Sequence, residues 1–97
     1  MSKQHTVIAV LEANPGKEFE LESALQVVAE YSRAESANIE YRLHKSTDNP
    51  RQFILYENWA SKEKHQEQFD KPYIKELAEK LGSMLAKPYE AYISEEI

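Results

Sequence analysis

Cysteine is absent from the 97 residues, so neither a disulfide nor a cysteine-ligated zinc ion braces this chain. Glycine occurs only at Gly16 and Gly82, which excludes the glycine-rich loops that cradle dinucleotides and nucleotide phosphates. Histidine stands only at positions 5, 44 and 65, without the HxxxH or HxxE spacing of a helix-borne metal site. Basic charge is scarce: twelve Lys/Arg face seventeen Asp/Glu, and Lys62/Lys64 and Arg42/Lys45 are interleaved with acidic and apolar residues, so no nucleic-acid surface is expected. Long apolar runs are missing as well. Val7 to Leu11 is too short for a signal segment or a membrane span, and the expectation is a cytoplasmic protein with no membrane partner.

What is present is a folding sequence. Apolar residues make up 41% and aromatics 10%, enough for a core in one domain spanning 1–97; a second core would need roughly 50 residues more. Thr6 to Glu12 is β-branched and continuously apolar, the pattern of a strand covered on both faces. Asn14-Pro15-Gly16 breaks the chain. From Lys17 to about Ala34, Phe19, Leu21, Leu25, Val28 and Tyr31 recur at helical spacing. Residues 38–46 alternate Ile39, Tyr41 and Leu43 with Glu40, Arg42 and His44, a strand with one wet face, and Asp48-Asn49-Pro50 turns it into a partner over 52–60. Ser61 is placed to cap a helical stretch to Asp70, Pro72 to open a second with Ile74, Leu77, Leu81 and Met84, and residues 89–94 alternate as a last strand. The order β-α-β-β-α-β predicts an α+β, ferredoxin-like split βαβ fold: a four-stranded antiparallel sheet with its helices on one face.

Both faces of two strands are apolar, with Val7, Ala9 and Leu11 against Ile8 and Val10, and Phe53, Leu55 and Trp59 against Ile54 and Tyr56. Helices on one side shelter only half of these, and each buried aliphatic or aromatic side chain is worth about 1.5–3 kcal/mol. The expectation is a homodimer packed sheet on sheet, a dimeric α+β barrel.

The segments Leu43-His44-Lys45, Asp48-Asn49-Pro50 and Phe53-Ile-Leu-Tyr56-Glu57-Asn58-Trp59, with His65 six residues further on, resemble the antibiotic biosynthesis monooxygenase family, which includes small quinol monooxygenases. The likeness runs from Val7 through Pro15-Gly16-Lys17 and Arg33-Ala34-Glu35 to Pro72-Tyr73; many relatives carry a histidine where this chain has Tyr73. It implies oxygenation of a small electron-rich aromatic, a quinol or polyketide-like phenol, by molecular oxygen without flavin or metal. Such chemistry needs a base, donors for a phenolate oxygen and a dry cavity.

His65 supplies a base of suitable basicity, and at helical spacing Phe69 and Tyr73 share its face. Trp59 is placed to wall a cavity and donate its indole N–H, and Glu57, on the same strand face, needs a partner such as Arg42, Lys45 or His65. His65, Trp59 and Glu57 are therefore the catalytic candidates, and Tyr41, Phe69 and Tyr73 the substrate-binding ones. His44 reads as surface and His5 as solvated. Three alternatives remain open: a non-oxidative ligand-binding or isomerising protein on the same dimer; a haem-degrading relative, disfavoured because strand one has no Asn and residues 69–85 no His; and a dimer without chemistry that serves as an interaction module.

Overall fold

A computed structural model describes residues 4–97. Its elements are β1 (His5–Glu12), α1 (Glu18–Arg33), β2 (Asn38–Lys45), β3 (Gln52–Trp59), α2 (Lys62–Glu67), a 3-10 turn (Gln68–Asp70), α3 (Pro72–Met84) and β4 (Glu90–Ser94). The strands form one antiparallel sheet in the order β2-β3-β1-β4, which is the ferredoxin-like α+β arrangement. Strand and helix limits lie within a residue or so of those read from the alternation and the helical spacing.

Local chemistry accounts for the boundaries. Between β1 and α1, Lys17 N–H donates to the Asn14 carbonyl at 2.9 Å, closing a turn with Pro15 and Gly16 at its corners. Gly16 adopts φ 89°, a conformation that L side chains rarely tolerate. Ser61 caps α2 by accepting from Lys64 N–H at 3.1 Å. Lys71 is extended (φ −78°, ψ 141°), as a residue before proline prefers, so α3 starts afresh at Pro72 instead of continuing α2. The end of α3 is tied to β1, because Asn14 N–H donates to the Met84 carbonyl and Ala86 N–H to the Glu12 carbonyl, each at 2.8 Å.

Register sorts the sheet into two faces. Val7, Ala9 and Leu11 stand beside Glu57, Leu55 and Phe53 of β3, and Tyr41 and Leu43 of β2 continue the same rows. Leu21, Leu25, Val28 and Ala29 of α1 and Met84 of α3 pack into this face and form the core with it. The opposite face carries Ile8, Val10 and Ile54, all half-buried, with Tyr56 and Tyr92 exposed. On that face Thr6 donates to Asn58 Oδ1 (2.6 Å), Asn58 donates to Glu40 (2.9 Å), and Arg42 donates to the other Glu40 oxygen (2.6 Å). Burial of Asn58 and Thr6 is thus compensated within the chain.

The two glycines make opposite demands. Gly16→Ala forces a side chain into positive φ and should lower stability by about 1 kcal/mol. Gly82→Ala, in α3 with open space around the new Cβ, should raise it by about 0.5–1 kcal/mol. Urea denaturation of both variants reads the two signs.

Candidate active site

Between the covered face of the sheet and the helices lies a chamber of about 470 Å³, within the range of small-molecule sites (roughly 300–1,000 Å³). Val7, Ala9, Leu55 and Ala91 form its floor, Leu25 and Val28 one wall, and Ile74, Leu77 and Leu81 another. The space exists partly because the cross-strand neighbours Ala9 and Ala91 are small. Tyr41, Glu57, His65 and Gln68 also line it, and all four are buried.

Glu57 reaches the chamber because β3 alternation turns it inward with Leu55 and Phe53. Its Oε1 accepts from the Trp59 indole N–H at 2.9 Å. His65, one turn into α2, places Nε2 at 3.9 Å from the same oxygen. Its ring meets those of Trp59 (5.4 Å), Phe69 (5.2 Å) and His5 (5.1 Å). Burial pushes the Glu57 carboxyl up to about 7, the indole hydrogen bond only partly opposing this. Burial likewise pushes His65 down to about 4, helped by repulsion from His5. Near neutral pH the imidazole is therefore an uncharged base beside a carboxyl close to its midpoint. Burial, and then the nearby Glu57 charge, push the Tyr41 hydroxyl far above its usual value, so it remains an O–H donor.

The structure brings together His65, Glu57, Tyr41 and Phe69, the last half-exposed at the rim. Two others do not line the chamber. Trp59, expected to wall the cavity, is fully buried and does not line it; its N–H holds Glu57 from outside. Tyr73, expected on the face of His65 and Phe69, lies in a surface groove between α1 and α3, stacked on Tyr31 at 5.1 Å. The cause is the 3-10 turn and the extended Lys71, which break the helical phase before Tyr73. His5, expected to be solvated, is half-buried against His65. Arg42 lies on the opposite sheet face with Glu40, and Lys45 pairs with Glu22 at 2.8 Å, so neither is the partner of Glu57.

Gln68 was not anticipated; the signal was its position three residues after His65, on the same helical side. Its amide N–H groups donate to Ser32 Oγ (2.7 Å) and the Tyr73 hydroxyl (3.2 Å), and Tyr73 donates to Glu35 (2.7 Å). Among the described residues no three of His, Asp and Glu lie close enough to share a metal ion, and no helix is long and apolar enough to cross a membrane.

Comparison with known proteins adds the family context. The sequence profile described as antibiotic biosynthesis monooxygenase matches residues 4–80. An uncharacterized protein of Synechocystis sp. is 30% identical over 83 residues, covering 86% of this chain; the chain spans 56% of that relative's length. A solved structure from Pseudomonas aeruginosa superposes with a TM-score of 0.95 at 23% identity, covering 100% of this chain and 97% of that one. A Nitrosomonas europaea structure, named among the antibiotic biosynthesis monooxygenases, gives 0.94 at 18% identity, covering 100% and 93%. At these identities the two structures speak for the fold.

The buried pair has opposing effects on stability. Glu57, with its folded pKa raised, contributes stability present below about 4.5 and lost as pH rises through about 7. His65, with its folded pKa lowered, contributes stability present above about 6.5 and lost as pH falls through about 4. Their slopes oppose each other between these limits. Glu57→Gln should therefore unmask acid lability, with Tm falling from pH 6.5 to pH 4.5 more steeply than in the parent protein. Calorimetry showing parallel pH profiles for the two proteins would count against the burial of the pair.

Proposed function

The chain belongs to the antibiotic biosynthesis monooxygenase family, and from that premise we propose that it oxygenates a small electron-rich phenol or quinol with molecular oxygen, without flavin or metal. The observation carrying this reading is an apolar chamber with an uncharged imidazole 3.9 Å from a carboxyl close to its midpoint at neutral pH.

Dioxygen reacts slowly with closed-shell molecules, whereas a phenolate donates an electron to it readily. The first requirement is therefore removal of the phenolic proton. His65 takes it, and ionised Glu57, oriented by Trp59, stabilises the imidazolium across the same 3.9 Å. The Tyr41 O–H supports the phenolate oxygen. Electron transfer to dioxygen gives superoxide and an aryloxyl radical, whose recombination forms the new C–O bond. Loss of the ring C–H proton with O–O cleavage then leaves a quinone carbonyl and releases water. One oxygen atom stays in the product and the other leaves in water, with the substrate supplying every electron. The apolar walls hold the reactants together and keep water from the radical pair.

The second copy belongs to the same proposal. Ile8, Val10, Ile54, Tyr56 and Tyr92 form an apolar surface on the face away from the helices, while the polar groups among them are already bonded within the chain. A sheet-on-sheet homodimer buries this surface and leaves one chamber in each subunit.

Oxygen uptake with hydroquinones and anthrols is the direct assay. His65→Ala should lower it by about 10²–10⁴-fold, the usual contribution of a general base. The parent kcat/KM should rise with pH through about 7, as the Glu57 and His65 pair loses its last proton. Binding without oxygen consumption by the parent protein would instead favour a non-oxidative role. Separately, light scattering should give a dimer mass, and Ile54→Glu should return it to the monomer; a monomeric parent protein would remove the barrel.

A further inference from the structure

A line of hydrogen-bonded side chains runs from the protein surface to the chamber. Glu35, just after α1, is held by Lys71 at 3.5 Å and accepts from the Tyr73 hydroxyl at 2.7 Å. Tyr73 accepts in turn from Gln68 at 3.2 Å, and the same Gln68 amide nitrogen donates to Ser32 Oγ at 2.7 Å. The Ser32 hydroxyl is hydrogen-bonded to that of Tyr41, and it also borders Tyr73. Ser32 and Gln68 are buried, and Tyr41, at the inner end, lines the chamber.

The direction of each proton in this line is set from its outer end. A carboxylate only accepts, so Tyr73 gives its proton to Glu35 and its oxygen accepts from Gln68. Gln68 therefore presents its NH2 group, not its carbonyl, to Tyr73 and Ser32. Ser32 accepts from that group and keeps its own proton, which goes to the Tyr41 oxygen because the Tyr73 oxygen is already served by Gln68. An oxygen that accepts from Ser32 still has its own proton to give, and Tyr41 gives it to the chamber. With the Gln68 amide turned over, the order reverses: Ser32 donates to the Gln68 carbonyl, Tyr41 donates to Ser32, and the chamber meets a lone pair. Glu35 forbids that state, since Tyr73 would have to give its single proton to both neighbours.

Resting on the proposed reaction for its setting but not for its test, we infer that Glu35 and Tyr73, both outside the chamber, are positioning residues that hold Gln68 in one orientation and so turn the Tyr41 proton toward the substrate oxygen. A phenolate in the chamber receives a hydrogen bond from Tyr41 only while the outer carboxylate fixes the line. Hydrogen bonds to charged oxygens are strong ones, so reversing Tyr41 from donor to acceptor should make a bound phenolate about tenfold harder to form.

4-Nitrophenol is too electron-poor to be oxygenated in this way, and its visible absorbance reports its own ionisation. The pH at which it is half ionised when bound to the full chain should rise by about one pH unit in Glu35→Gln and in Tyr73→Phe, which is the tenfold effect. The negative charge lost in Glu35→Gln would by itself lower that midpoint, so a rise reads the hydrogen bonds. Glu57 and His65 face the probe, and Glu57 and Arg33 act on Tyr41, but all three are the same in parent and variants. A purely structural role is tested in the Tyr41→Phe background, where adding Tyr73→Phe should move the midpoint no further. Circular dichroism checks folding, and Glu35→Gln keeps the side-chain shape at a half-buried position. No binding of 4-nitrophenol by the parent protein at millimolar concentration, an unchanged midpoint in both folded variants, or a shift that persists in the Tyr41→Phe background would each overturn the inference. Oxygen uptake with hydroquinones is measured separately, so the two ideas fail apart. The midpoint shift without oxygen consumption removes the reaction and keeps the positioning role; oxygen consumption without the shift does the reverse.

Discussion

The antiparallel register of β1, β2 and β3 is the constraint from which the site follows. It places Val7 and Tyr41 on either side of Glu57, and all three on the face that the helices cover. A slip of one residue would turn Glu57 out and bring Tyr56 and Asn58 in. Such a slip is strongly opposed: it would expose Leu55, Phe53 and Trp59, each worth about 1.5–3 kcal/mol when buried, and would break the Thr6, Asn58 and Glu40 hydrogen bonds on the other face. The carboxyl is thus kept in a poor solvent by its neighbours on the strand.

That placement sets the electrostatics. A carboxyl taken from water without a cation resists ionisation, and an imidazole taken from water resists protonation. Bringing the two within 3.9 Å in the same apolar surroundings yields an uncharged imidazole beside a carboxyl near its midpoint at neutral pH, a pair that responds to a single proton. Trp59 acts through Glu57: its N–H occupies one oxygen and fixes the plane of the carboxyl, which leaves the other oxygen for the chamber. Gln68 has a comparable relation to α1 and α3. It ties the 3-10 turn to Ser32 of α1 and Tyr73 of α3.

The reading of the sequence was accurate where a local rule applied and failed where the backbone changed its rule. Alternation in β3 put Glu57 and Trp59 on one face because a strand has a period of two throughout. Helical spacing carried His65 to Phe69 but not to Tyr73, since the intervening turn is 3-10 and Lys71 is extended. Tyr73 therefore faces α1 and Tyr31, outside the chamber. Trp59 shows a different limit: strand alternation gives its side of the sheet but not whether the indole or the smaller carboxyl before it reaches the cavity.

Composition and pattern by themselves determined an α+β fold, the order of its elements, the cap at Ser61, the glycine turn at Gly16 and an apolar surplus on both sheet faces, because each follows from residues close together in the chain. Which sheet face the helices take, the meeting of His5 with His65, the hold of Trp59 on Glu57 and the gathering of Tyr41, Glu57, His65 and Gln68 around the chamber were decided only by tertiary structure. These depend on distances between segments far apart in sequence, and on how much water remains around each ionisable group, which no local pattern encodes.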